Sequence, residues 1–246
     1  MRRVQLLRDG FAEHPALDAA VSHALLRRVA AGEVPPSLRL YRPGATLAFG
    51  RLDRLRPGYD DAVAAARAHG FEPVQRLPGG HAAAYHGESL VLDLVGAEAD
   101  PIASVHDRFG HTARLLAEAL RALGADARVG EVPGEFCPGR YTVNARGAVK
   151  LVGTAQRLVR GAWLLSASLV VRDAAPVRAV LDEVYARLGL AWEPATAVAL
   201  EDEVPGVGLD ATERALLEAF APAADGRLDQ ETLALARRLE SGHRPG

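Results

Sequence analysis

The run CPGRYTVNARGAVKLVGTAQR contains the only cysteine and the only lysine of the 246-residue chain, Cys137 and Lys150. A thiolate attacks acyl groups, and an ammonium can orient a carbonyl or offset the charge of an oxyanion. Every other one of the 29 basic Lys and Arg side chains is arginine. A single lysine against that background is expected where a compact, mobile, titratable amine is required, which a planar guanidinium does not replace. Cys137 lies in PGEFCPGRY, flanked by two Pro-Gly pairs and therefore on a loop. A lone cysteine is most often a buried, inert thiol, but core cysteines usually belong to helices or strands. Both readings of the thiol stay open at this point.

Lys150 falls in VKLVGTAQR, a strand-like alternation followed by Gly153, Thr154 and Ala155, small residues that permit close approach. A second segment, RLPGGHAAAYHG, offers the Gly79-Gly80 pair, whose backbone N–H groups can reach a ligand unobstructed by a Cβ. The alanines that follow keep that wall thin. Neither the P-loop nor the dinucleotide fingerprint is present. His81 and His86 are acid/base candidates, and His106 and His111 fall on a long helix. No histidine pair has a third partner at ligand spacing, so no metal site is expected. No Gly-x-Ser-x-Gly elbow suggests a serine hydrolase.

The elements that must position these residues alternate irregularly. PALDAAVSHALLRRVAAG reads as a helix, with Pro15 near its start and Gly32 as its stop. LRLYR and TLAFG read as short strands around Pro43-Gly44. YDDAVAAARAHG reads as a helix with Asp60 or Asp61 as N-cap. EPVQR, LPGGHAAAYHGES and LVLDLV then read as strand, glycine turn and strand. Residues 102–123 carry one apolar stripe and predict a long helix. Strands fill 126–172, VRAVLDEVYARLG returns to helix, and DATERALLEAFA and DQETLALARRLES are small helices before a frayed GHRPG tail. Helices between strand groups without regular alternation predict an α+β fold with mixed and antiparallel sheets packed against helices. Residues 1–205 are read as the catalytic domain and 206–246 as a short C-terminal helical extension of it.

Composition sets the class. With 49% hydrophobic and 24% charged residues, the chain reads as a soluble globular protein. MRRVQLLRDGFAEH is no signal peptide, and AWLLSASLVV is too short to span a membrane. One cysteine rules out an internal disulfide and makes the cytoplasm the expected compartment. The net charge of −2 predicts no nucleic-acid binding. Between Cys137 and Arg172, however, there are six basic residues and no acid, so that stretch carries +6 and the remainder −8. An anionic partner or substrate group is the expectation.

QRLPGGHAAAYH and VKLVGTAQR together resemble the lipoate-protein ligase and octanoyltransferase family of the biotin/lipoate protein ligase superfamily. LAFGRLDR and ALEDEVPG resemble further family segments, so the resemblance covers roughly residues 15–220. It implies a catalytic domain shared with biotin ligases that attaches lipoate or octanoate to a lysine of a small carrier domain. By that resemblance Lys150 contacts the acyl carbonyl or the phosphate of an acyl-adenylate. Arg76, Gly79 and Gly80 match the loop that wraps the acyl group, and His81, Ala82, His86, Gly153, Thr154 and Ala155 are taken with them as substrate-binding. Cys137 falls where the cysteine-dependent octanoyltransferases, the nearest branch, carry their nucleophile. The sequence departs from the family pattern in Gln75-Arg76 for a double arginine, in His81 for a third glycine, and in Leu164, Leu165 or Ser166 where a histidine is frequent.

Two enzymes are compatible with this resemblance. A transferase takes an acyl thioester that is already activated and needs no cofactor. A ligase activates free lipoate with ATP and Mg, and many single-chain ligases add a C-terminal domain, whereas about forty residues follow EDEVPG here. The transferase is therefore preferred: Cys137 takes octanoate from acyl carrier protein and passes it to a lipoyl-carrier domain, of the glycine cleavage H protein or dehydrogenase E2 type. An apolar slot for the tail contributes about 5 kcal/mol at roughly 0.8 per methylene. Carrier domains of both kinds are typically acidic, which suits the +6 stretch. A non-catalytic acyl- or carrier-binding relative is the third reading.

Overall fold

The computed structural model describes residues 4–245. In chain order they form β1 (Gln5–Leu7), α1 (Pro15–Ala30), β2 (Ser37–Tyr41), β3 (Thr46–Phe49), α2 (Tyr59–Ala68), β4 (Glu72–Gln75), β5 (Ala83–Tyr85) and β6 (Ser89–Ala97). There follow α3 (Val105–Ala122), β7 (Ala127–Val129), β8 (Val143–Ala145), β9 (Val149–Val159), β10 (Ala162–Val170), α4 (Ala175–Leu188), α5 (Leu200–Glu203), α6 (Leu209–Phe220), β11 (Ala224–Asp225) and α7 (Gln230–Leu239). Eight strands make one mixed sheet in the order β11-β1-β2-β6-β10-β9-β8-β7, and β4-β3-β5 make a second. The fold is α+β, as the pattern of elements predicts.

Period-two alternation divides the large sheet into two unlike faces. Leu38, Leu92, Leu94 and Leu165 point to the face covered by α3 and α6, where they meet Leu116, Leu120, Leu216 and Phe220. Each such leucine stabilises the fold by about 1.5–3 kcal/mol on burial. The opposite face presents Val95 and Leu164 to α1, whose Val21 and Leu25 pack there with Leu7. The small sheet has its own core, in which Leu47 and Phe49 meet Val63 of α2 and Val180, Leu181 and Val184 of α4.

Three local expectations change. EPVQR and LVLDLV do not flank a common turn: β4 lies in the small sheet and β6 in the large one, with β5 inserted between them and paired to β3. Residues 76–88 therefore carry the chain from one sheet to the other, and a cavity opens beside that crossing. The N-cap of α2 is Gly58 rather than Asp60 or Asp61, which sit in the first turn where their charge complements the helix dipole. The C-terminal segment adds a strand as well as helices, since β11 pairs parallel with β1 and α7 packs along α1.

The frayed tail is also corrected. His243 is 3% exposed, donates Nδ1–H to the carbonyl of Gln75 at 2.8 Å, and accepts from His23 Nδ1 at 3.1 Å through Nε2. Burial, with His243, Arg27 and Arg157 nearby, lowers the His23 pKa from 6.5 to about 4. The unfolded chain binds a proton at His23 that the folded chain refuses, so stability falls as pH drops from about 6.5 towards 4. The melting temperature is expected to fall between about pH 7.5 and pH 5, and the fall is expected to shrink in His23→Gln. An unchanged pH slope in that variant would remove His23 as the cause.

Candidate active site

A cavity lies where the second face of the large sheet meets the small sheet, under α1. Strand register builds its floor from two rows: Tyr41, Val91, Ser168 and Gly153 lie side by side across β2, β6, β10 and β9, and Asp93, Ser166 and Ala155 form the next row across β6, β10 and β9. Arg76, Leu77, Phe136, Cys137 and Lys150 line it as well. Its enclosed volume is about 70 Å³.

Cys137 stands in this wall, half-buried, on a loop with φ +42°. Its Sγ is 3.4 Å from Arg76 Nη2 and 3.3 Å from the His81 backbone N, both as hydrogen-bond donors. Its own N–H donates to the Tyr185 oxygen at 2.8 Å, and Tyr185 Oη donates to the Ala82 carbonyl at 2.9 Å. Burial raises the Tyr185 pKa well above its ordinary value, so the phenol keeps the proton it donates.

Lys150 approaches the same loop from β9, but not as a free cation. It is 3% exposed, and its three ammonium donors meet the Phe136 carbonyl at 2.8 Å, the Cys137 carbonyl at 2.9 Å and Glu135 Oε2 at 2.8 Å. Glu135 is buried too, and takes further hydrogen bonds from Thr142 Oγ1 and the Val132 and Gly139 N–H groups. From the cavity wall the ammonium thus braces the cysteine loop. Arg76, not Lys150, is the cation beside the sulfur.

The glycine segment works through its backbone. A Cβ on Gly80, at φ +93°, would lie 2.6 Å from Cys137 Sγ and 2.8 Å from Arg76 Nη2, and one on Gly50 would lie 1.7 Å from the Gly80 carbonyl oxygen. Gly80→Ala is expected to destabilise the chain by about 1–3 kcal/mol through that backbone conformation and to change the reactivity of the Cys137 thiol. Urea unfolding and thiol alkylation test it; an alkylation rate like wild type would show the collision to be avoidable. Gly79 N–H meets the Gln156 carbonyl at 3.4 Å. The His81 ring turns to Asp53, with Nδ1 2.8 Å from the fully buried carboxylate, which also accepts Gly50 N–H. The His81 carbonyl takes Arg76 Nη2 at 2.7 Å.

Gly153, Thr154 and Ala155 line the cavity, as expected of them. His86 does not: Nε2 meets the Asp173 carbonyl and Nδ1 accepts Glu88 N–H, which makes it a tie between loops. Ala82 contributes its carbonyl and no surface to the cavity. The cavity is also less apolar than the slot expected for a tail. Asp93 reaches it because its carboxylate accepts the hydroxyls of Ser22 and Ser166 beside the wholly buried Arg39, which is paired with Asp18. Burial raises the Asp18 pKa, against the pull of Arg39.

The +6 stretch is partly neutralised in space, because carboxylates come to it from outside: Glu135 to Lys150, Glu203 to Arg146 and Glu201 to Arg172. Glu135, Asp53 and Tyr185 escape the sequence reading. Glu135 alone carried a signal, an acid two residues before the odd cysteine. Among the described residues no helix is long and apolar enough to cross a membrane, and no cluster of three His, Cys, Asp or Glu could hold a metal ion.

Comparison with known proteins follows the same lines. Residues 14–221 match the lipoyl protein ligase A/B catalytic domain. An octanoyl-[GcvH]:protein N-octanoyltransferase of Geobacillus kaustophilus is 30% identical over 78% of this chain and 69% of its own length. Octanoyltransferase LipM of Kyrpidia tusciae is 32% identical over 91% of this chain and 88% of its own. In structure, the bipartite lipoate protein ligase of Thermoplasma acidophilum superposes with a TM-score of 0.75 at 20% identity, covering 98% of this chain and 93% of that one. A lipoate-protein ligase A bound with ATP gives 0.73 at 22%, covering 97% and 94%, and both show the shared fold. The matched span contains the cysteine loop, the glycine crossing and the lysine strand and covers most of the chain: the protein belongs to the lipoyl protein ligase A/B catalytic domain family.

Proposed function

We propose that this chain is an octanoyltransferase that moves an octanoyl group from acyl carrier protein to a lysine of a lipoyl-carrier protein through a thioester on Cys137. The single observation that carries the reading is a thiol in the cavity wall with a guanidinium and a backbone N–H both directed at its sulfur. The relatives named as octanoyltransferases support the reaction class, and those whose names include GcvH support a lipoyl-carrier partner.

In the first half-reaction the Cys137 sulfur bonds to the acyl carbon and the donor's carbon–sulfur bond breaks. The donor leaves as a thiol with the proton that left Cys137. In the second, the neutral amine of the acceptor lysine attacks the same carbon, an amide forms, and the sulfur departs with the amine's proton. Arg76 and the His81 N–H are placed to meet negative charge as it develops at the sulfur and the adjoining oxygen. Lys150 is a positioning residue, acting through the Phe136 and Cys137 carbonyls. The donor arrives activated, so these steps consume no nucleotide and use no metal. A reducing cytoplasm keeps such a thiol ready.

Intact mass of an apo lipoyl-carrier protein tests the reading. Octanoyl-acyl carrier protein without ATP is expected to add one octanoyl mass. Modification only by free lipoate or octanoate with Mg and ATP would assign a ligase instead, and no adduct under any condition would assign a non-catalytic relative.

A further inference from the structure

Four arginines converge on a cleft that the acyl chemistry leaves unused. Arg51 follows β3, Arg54 lies in the 3-10 turn Asp53–Leu55, Arg76 follows β4, and Arg157 stands on β9. They line a cleft of about 530 Å³, together with Leu55, Leu77 and His243, and no carboxylate lines it. Among the described residues Arg51, Arg54 and Arg157 make no ion pair. Arg76 and Leu77 line both this cleft and the cavity of Cys137, so the two are neighbours across these two residues.

The histidines of the cleft do not add to its charge. His23 and His243 hold one another as neutral rings, and burial lowers the pKa of both. Four guanidiniums on one concave surface repel one another, and a bound anion relieves that repulsion. Guanidinium is also the side chain best matched to the oxygens of a phosphate.

We propose that this cleft binds the phosphodiester of the acyl donor's prosthetic arm, a phosphopantetheine on its carrier protein. The inference rests on the Cys137 thioester reading and deepens it. A thioester donor must place its reacting carbon at Cys137, and an arm that leaves that cavity past the shared Arg76 and Leu77 enters this cleft. The phosphodiester is the one charged group of that arm, and the cleft beside Arg76 offers cations in just that direction of exit. A donor holding octanoate on a lysine brings no phosphate and would leave the cleft unneutralised. The phosphates of a nucleotide share the chemistry and form a separate arm of the test.

The full chain is given octanoyl-phosphopantetheine or octanoyl-pantetheine, which differ only in the phosphate, and acylation of Cys137 is followed by intact mass. At limiting donor the phosphorylated form is expected to react about tenfold faster, the scale of one charge-assisted hydrogen bond. Arg54→Gln with Arg157→Gln is expected to abolish that advantage while leaving the rate with octanoyl-pantetheine unchanged. Equal rates for the two donors in the wild type would overturn the proposal. Calorimetric binding of phosphopantetheine without an acyl group decides independently of any reaction. Binding lost in the double variant supports the assignment even if Cys137 is never acylated, which would sink the thioester reading alone. Binding of ATP but not phosphopantetheine would reassign the cleft to a nucleotide and overturn it.

Discussion

Cys137→Ala is expected to lower octanoyl transfer on the order of a thousandfold or more, because the acyl-enzyme can no longer form. The same substitution is expected to leave the fold almost untouched. The loop is held by the main chain of residue 137, through its N–H to Tyr185 and its carbonyl to Lys150, and neither bond involves the thiol. Alanine meets the same backbone conformation at φ +42° that cysteine already tolerates, so no new strain enters. Cys137→Ser is the sharper variant. It keeps a nucleophilic atom of similar reach, but a hydroxyl is much less readily ionised than a thiol, and the side chain bonded to this position, Arg76, is a donor that cannot take the hydroxyl's proton. Intact mass of the enzyme after exposure to octanoyl-acyl carrier protein reads the intermediate directly: one octanoyl mass on wild type and none on either variant. Full transfer by Cys137→Ala would refute the thioester route and leave direct attack by the acceptor amine.

The parts of this site that sequence makes visible are those with a local signature. Pro15 and Gly32 bracket α1, and the stripe through Ala113, Leu116 and Leu120 marks α3, because helical period is written within a few turns. The pairing of strands is not local. EPVQR and LVLDLV resemble two arms of one turn, yet nothing in their alternation says that they belong to different sheets, and β5 hides in an alanine run of weak strand propensity. The site suffers most from this. Lys150 stands out by rarity, but its partners are two main-chain carbonyls and a carboxylate of the cysteine loop, thirteen to fifteen residues earlier in the chain. Asp53 and Tyr185 reach the site from 28 residues before His81 and 48 after Cys137, with no spacing that would announce them. Net charge over a segment likewise says nothing about carboxylates that other elements bring to it.

That bracing makes Lys150 the second large effect. Lys150→Met is expected to destabilise the chain by about 3–5 kcal/mol, since it leaves Glu135 buried without its cation. Glu135→Gln is expected to cost less, because an amide can still accept from Thr142 and the ammonium keeps its two carbonyl acceptors. Combining Lys150→Met with Glu135→Leu removes both charges and is expected to recover much of the lost stability, as replacement of a buried pair by apolar side chains often does. Activity is expected to stay low in that double variant, because nothing then ties the Phe136 and Cys137 carbonyls and the thiol loses its fixed place beside Arg76. Lys150→Arg is not expected to rescue it: a planar fork does not reproduce the three converging donors that meet two carbonyls and a carboxylate at this buried position. Urea midpoints and the alkylation rate of Cys137 separate the two consequences. A Lys150→Met variant as stable as wild type would sink the buried pair as a structural element. A double variant with full activity would show that the thiol needs no brace, and that the chain's one lysine serves the fold alone.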